Sequence, residues 1–134
     1  MPHLRMHEAA DFLAVSTDTI RRMVDAGTLA AGEGDGGRRT VDAVSVAHHA
    51  REHLRALPDP VGRHTSARNR LVGIVTEVVA DTVMAQVELQ CGPFRVVSLL
   101  SAEAVREMGL EPGVVAVAVI KSTQVVIETP DGRA

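Results

Sequence analysis

Aromatic side chains are almost missing from this chain: among 134 residues there are Phe12 and Phe94, with no Trp and no Tyr. Any core must therefore be built from Val, Leu, Ile, Met and Ala, and small aliphatic cores are marginal when they stand alone. Cys91 is the single cysteine, which excludes an internal disulfide and a cysteine-based metal cage. No apolar run approaches the length of a membrane span, and the first residues lack the apolar core of a signal peptide, so the expectation is a cytoplasmic protein. Lysine is equally scarce: Lys121 is the only one, and the other thirteen basic side chains are arginines. The net charge of −3 neither favours nor excludes nucleic acid, because a local basic patch can sit on an acidic chain. No long internal repeat is present. What remains is an ordinary globular balance, 46% hydrophobic and 23% charged, long enough for two small domains.

Residues 6–13 have helix-forming composition, with Ala9, Ala10 and Leu13 available for a buried face. Ala14-Val15 breaks that helix. Ser16 is a good N-cap, and Asp18 in the first turn suits the helix dipole. A second helix from Thr17 to about Ala26 carries Ile20, Met23 and Val24 at helical spacing, with Gly27 as its stop. Two short helices joined by so tight a turn make a helix-turn-helix. Thr17, Thr19, Arg21 and Arg22 lie where a recognition helix presents side chains to base edges. Arg38-Arg39 ends a glycine-rich wing, Gly32 to Arg39, able to reach phosphates. A third helix begins near Asp42 and carries Ala43, Val44 and Val46. Residues 1–65 hold eight Arg against nine Asp and Glu, so one copy should bind DNA modestly and two or more copies better. The order Glu8-Ala9-Ala10-Asp11-Phe12-Leu13-Ala14-Val15-Ser16-Thr17-Asp18-Thr19-Ile20-Arg21-Arg22, followed by Asp25-Ala26-Gly27-Thr28-Leu29 and the wing, resembles a MerR/excisionase-type winged helix-turn-helix. Two positions depart from that pattern: Met23 replaces the usual aromatic, and Ala14 the usual glycine of the turn.

All six histidines precede residue 65. His49 and His53 have the i, i+4 spacing of a metal pair on a helix, but no cysteine or carboxylate motif completes a set, so no metal site is expected. Leu57 to Thr65, with Pro58, Pro60 and Gly62, reads as a short semi-stiff linker.

Beyond it the period changes to that of strands. Leu71–Val79, Val83–Leu89, Phe94–Leu100, Val114–Ile120 and Val125–Glu128 read as strands, with a two-turn helix from Ala102 to Met108 capped by Ser101 and ended by Gly109. The order β-β-β-α-β-β is that of a small OB-type barrel. Barrels that hold single-stranded nucleic acid use aromatic platforms, and this one offers only Phe94. The fold class is therefore α+β in two domains: a winged helix-turn-helix (1–57), a linker (58–65), an OB-like five-stranded barrel with one short helix (66–129) and a polar tail (130–134).

Ser66-Ala67-Arg68-Asn69 and Ile120-Lys121-Ser122 flank the barrel. A lone ammonium beside hydroxyls suits a small oxyanion, which accepts hydrogen bonds only. A tetrahedral dianion takes about eight donors, and serine hydroxyls, main-chain N–H groups, a lysine and an arginine can supply them. No nucleophile stands beside a base, so no catalysis is expected. The segments Ser66 to Val75, Ser101 to Gly113 and Ala118 to Val125 resemble the Mop/TOBE domains of molbindins and of molybdate-responsive regulators. That resemblance implies molybdate or tungstate bound at subunit contacts by Ser66, Arg68, Lys121 and Ser122, with main-chain amides around Ala67 and with Ser101 at the helix cap. Ala104 departs from members that carry a serine there. The expected protein is a homo-oligomeric, oxyanion-responsive transcription regulator acting on double-stranded DNA. A molybdate-storage protein would bind the anion without DNA, and a DNA-binding protein whose barrel serves only assembly would bind no anion.

Overall fold

The structure is a computed structural model and describes residues 2–34, 36–62 and 64–130. Position 35 of the wing, position 63 of the linker and the tail from 131 on lie outside the described residues. The chain divides after Arg55 into two compact units.

The first unit runs β1 (His3–Arg5), α1 (Met6–Leu13), α2 (Thr17–Asp25), β2 (Thr40–Asp42) and α3 (Ala43–His53). Met6, Ala9, Ala10 and Leu13 recur on one face of α1 and meet Ile20, Leu29, Val41 and Val46 in the core. Met23 packs on its margin, half-buried. Ser16 caps α2 by accepting the Thr19 amide at 3.1 Å. Gly27, at φ +81°, lets Thr28 N–H reach back to the Met23 carbonyl at 2.8 Å and closes the helix. Asp42 caps α3 through the Ser45 amide at 3.0 Å. The strands β1 and β2 pair antiparallel, His3 with Asp42 and Arg5 with Thr40. Sequence periodicity does not find them, because three residues are too few to show alternation.

In the second unit β3 (Asn69–Ala80), β4 (Met84–Cys91), β5 (Phe94–Ser101) and β6 (Val115–Ile120) form one antiparallel sheet in the order β5-β4-β3-β6. It curls into an OB-like half-barrel, with α4 (Ala102–Met108) between β5 and β6 in the chain. Ala85, Val87, Leu89 and Cys91 alternate inward along β4 and pack against Val75 and Val105. A bulge at Thr76 bends β3. Its hydroxyl bonds the Glu88 carboxylate at 2.8 Å, and Arg95 bonds the same carboxylate, so Glu88 titrates below its ordinary value. Gly73 sits where β3 crosses closest to β4: an added Cβ would stand 2.6 Å from Cys91 Sγ and 2.6 Å from the Gln90 carbonyl oxygen.

One expected strand is absent. After β6 the chain makes a 3₁₀ turn at Ser122–Gln124, and residues 125–128 pair with nothing among the described residues. Val126 and Ile127 stand 82% and 79% exposed. Their β-branched composition suits a strand, but a strand requires an edge to pair with, and within this chain the sheet ends at β6. The linker is also less free than its composition implies. Asp59 bonds Arg70 of β3 at 2.6 Å and accepts the Val61 amide at 2.8 Å, so its carboxyl is held below its ordinary value, chiefly by the guanidinium.

Candidate functional site

The corner of the sheet where β3 begins and β6 ends gathers most of the expected oxyanion residues. Asn69 pairs with Ile120 in the ladder, and its side-chain amide also donates to the Ile120 carbonyl at 3.2 Å. Arg68 and Lys121 are therefore the next residues outward on two adjacent strands. Ser66, Arg68, Lys121 and Ser122 are all exposed there, while Ala67 is buried. Lys121 occupies the cap of the 3₁₀ turn, with its carbonyl accepting Gln124 N–H at 2.9 Å. Asn69 is the residue of the flanking stretch to which sequence reasoning gave no role: it fastens the two segments, and its place between Arg68 and Arg70 at the strand start was the available signal.

Thr65 organises the other half of the corner. Its hydroxyl accepts the Ala67 amide at 3.2 Å and its carbonyl accepts Arg68 Nη1 at 2.7 Å. The Ala67 N–H thus points to Thr65, and the threonine O–H retains its proton to donate outward. The guanidinium of Arg68 is folded back on its own turn, which fixes it at low entropic cost.

Ser101 is not part of this corner. It pairs with Met84 at the far end of β4, on the β5 edge, whereas Lys121 follows β6 on the opposite edge. Its hydroxyl caps α4 by accepting the Ala104 amide at 3.0 Å, again leaving a proton to donate. One chain therefore carries two separated donor groups, a basic corner and a hydroxyl at a helix start.

In the first unit α2 presents Arg21 and Arg22 outward, with Thr17 and Thr19 half-buried beside them. Arg21 pairs with Asp18 at 2.8 Å, and Arg22 reaches the Thr19 hydroxyl at 3.3 Å. Thr19 is itself engaged with the Ser16 hydroxyl at 2.9 Å. The two wing arginines separate: Arg39 pairs with Asp25 at the end of α2, 3.0 Å away, while Arg38 is exposed and makes no ion pair among the described residues. His49 and His53 stack with ring centroids 4.1 Å apart, and His53 Nδ1 engages the His49 carbonyl. Among the described residues no group of three or more His, Cys, Asp or Glu could hold a metal.

Residues 65–127 match the TOBE domain. They are 41% identical over 63 residues to molybdenum-pterin-binding protein 3 of Clostridium pasteurianum, covering 46% of this chain and 93% of that protein. The chain belongs to the TOBE-domain family. Two further relatives, molybdenum-pterin-binding proteins 1 and 2 of the same organism, are 40% identical over the same length. The cytoplasmic molybdate-binding protein ModG, solved with molybdate bound, superimposes with a TM-score of 0.50 at 40% identity, over 54% of this chain and 52% of that one. In this TOBE protein residues 4–54 additionally match a helix-turn-helix domain. Neither domain is enzymatic. No helix among the described residues is long and apolar enough to cross a membrane.

Proposed function

We propose that this TOBE protein is a molybdate- or tungstate-responsive transcription regulator, in which the helix-turn-helix unit binds double-stranded DNA and the barrel binds the oxyanion between copies. The observation that supports the reading is the Asn69–Ile120 register, after which Arg68 and Lys121 are the next residues on two neighbouring strands, in a TOBE domain joined to a helix-turn-helix. The basic corner of one copy supplies the charge. Ser101 at the start of α4 in a second copy supplies further donors, which accounts for the separation of the two groups within one chain. An anion shared in this way links its binding to subunit arrangement, and hence to the spacing of two DNA-binding heads. The relatives' names, and the molybdate in the ModG crystal structure, support the choice of ligand. A cytoplasmic setting belongs to this reading, and the cytoplasmic molybdate-binding protein ModG supports it.

Titration calorimetry with molybdate, tungstate and sulfate tests the proposal. Molybdate and tungstate have nearly one size and charge and bind alike. Sulfate is smaller, leaves donors of a cage set for the larger ions unpaired, and binds far more weakly. Lys121→Ala loses a charged hydrogen bond of about 1.5–3 kcal/mol, roughly a 10- to 150-fold fall in affinity. Lys121→Arg does not restore it, because a planar fork does not replace a compact ammonium. Equal heats for sulfate and molybdate, or an unimpaired Lys121→Ala, would overturn the oxyanion reading. Anion binding without affinity for any duplex would instead select a storage protein.

A further inference from the structure

Phe12, one of the two aromatics in the chain, is 65% exposed on α1. It is the shared wall of two adjoining depressions. One, about 260 Å³, is apolar and is lined by Leu4 of β1 and by Ala43, Val46, Ala47 and Ala50 of α3. The other, about 370 Å³, is lined by Glu8 and Asp11. An occupant of both would carry an apolar side chain with a cation close to it, as residues three or four apart on a helix do. This chain contains such a segment. Leu54, at the end of α3, is 49% exposed, and Arg51 stands three residues before it, exposed and without an ion pair among the described residues.

We propose that the α1/α3 face of the helix-turn-helix unit is a contact between two copies of this chain. Leu54 of one copy seats in the Phe12 groove of the other, and its Arg51 faces Glu8 and Asp11. The contact is reciprocal, because each copy carries both the groove, between α1 and α3, and the inserted end of α3. Ala43, Ala47, Ala50 and Leu54 recur along α3 at spacings of four and three, and about 16 Å separates Ala43 from Leu54. Two such helices laid antiparallel about their midpoint bring each Leu54 opposite the partner's groove, as a two-fold axis requires. The charges agree with that arrangement: acidic at the groove, basic at the inserted end. The surface belongs to the first unit alone, so it adds to any assembly through the barrel.

Disulfide trapping on the full-length chain tests the contact. Phe12 and Leu54 are exposed, so Phe12→Cys and Leu54→Cys leave the core filled, and the native Cys91 is buried and stays silent. The two variants are mixed without DNA or oxyanion and oxidised mildly. The expected result is a covalent heterodimer at a yield roughly tenfold above that of an Arg38→Cys with Leu54→Cys control, suppressed by Asp11→Arg and recovered when Arg51→Glu is added on the other partner. A yield equal to the control, coupling of Phe12→Cys only to itself, or indifference to charge reversal would overturn the proposal and assign the groove to some other occupant. The readout does not depend on whether the chain binds DNA or molybdate, so either function can fail without deciding this contact.

Discussion

Arg38 and Arg39 are neighbours in sequence and unequal in the structure. Arg39 is tied to Asp25 and braces the wing against α2, while Arg38 makes no ion pair among the described residues. The pair reads as two equivalent phosphate contacts from the sequence, because an ion pair between positions fourteen residues apart leaves no local signal. Arg38→Ala is therefore expected to lower the slope of log affinity against log salt by about 0.9, the value of one phosphate contact. Arg39→Ala should weaken binding with little change in slope. Fluorescence anisotropy on a labelled duplex across a salt series separates the two, and identical slopes for both variants would refute the distinction. Lys121 shows the opposite situation. As the sole lysine, followed by Ser122, it stands out in the sequence, whereas the hydrogen bond by which Asn69 ties the two segments together required the fold.

Among the elements, two helices were legible almost to the residue, the later one through its caps Ser101 and Gly109. The helices Met6–Leu13 and Ala102–Met108 have the bounds that their apolar spacing and flanking residues imply. The turn between α1 and α2 holds a strain that the sequence also hinted at. Ala14 is the one non-glycine residue with positive φ among the described residues, at φ 56° and ψ 43°. A left-handed alanine costs about 1–2 kcal/mol, and glycine would relieve that while adding roughly 0.4–1 kcal/mol of unfolded-state entropy. Ala14→Gly is thus expected to stabilise the first unit by about 0.5–1 kcal/mol, a rise of a few degrees in its thermal midpoint by circular dichroism. A lower midpoint would mean that the turn is not strained. The segment 125–128 was misread for a different reason. Composition reports that a stretch favours extended backbone, but not whether the chain leaves it an edge.

At the scale of the molecule, the second unit exposes more aliphatic surface than a small solitary barrel should. Besides Val126 and Ile127, Leu99 is 69% exposed, Val79 57% and Val115 56%. We expect copies of the barrel to cover one another, and the protein to sediment as a dimer or larger at micromolar concentration. Replacing Val126 and Ile127 by serine removes about 3–5 kcal/mol of potential burial and should shift that species toward monomer. A wild type that sediments as a monomer would contradict the expectation. The paucity of aromatics, which shaped the cores, also leaves the chain without the indole and phenol groups that usually report unfolding. Cys91 takes their place. Its thiol is 5% exposed, lies beneath Gly73 with its proton toward the Leu71 carbonyl, and is pushed above its ordinary pKa by burial. A thiol reagent can reach it only when β3 and β4 part, so the rate of labelling is a clock for opening of the barrel alone. With that clock on one unit and a helical signal that comes mostly from α1, α2 and α3 of the other, the two halves of the chain can be timed separately without an engineered probe.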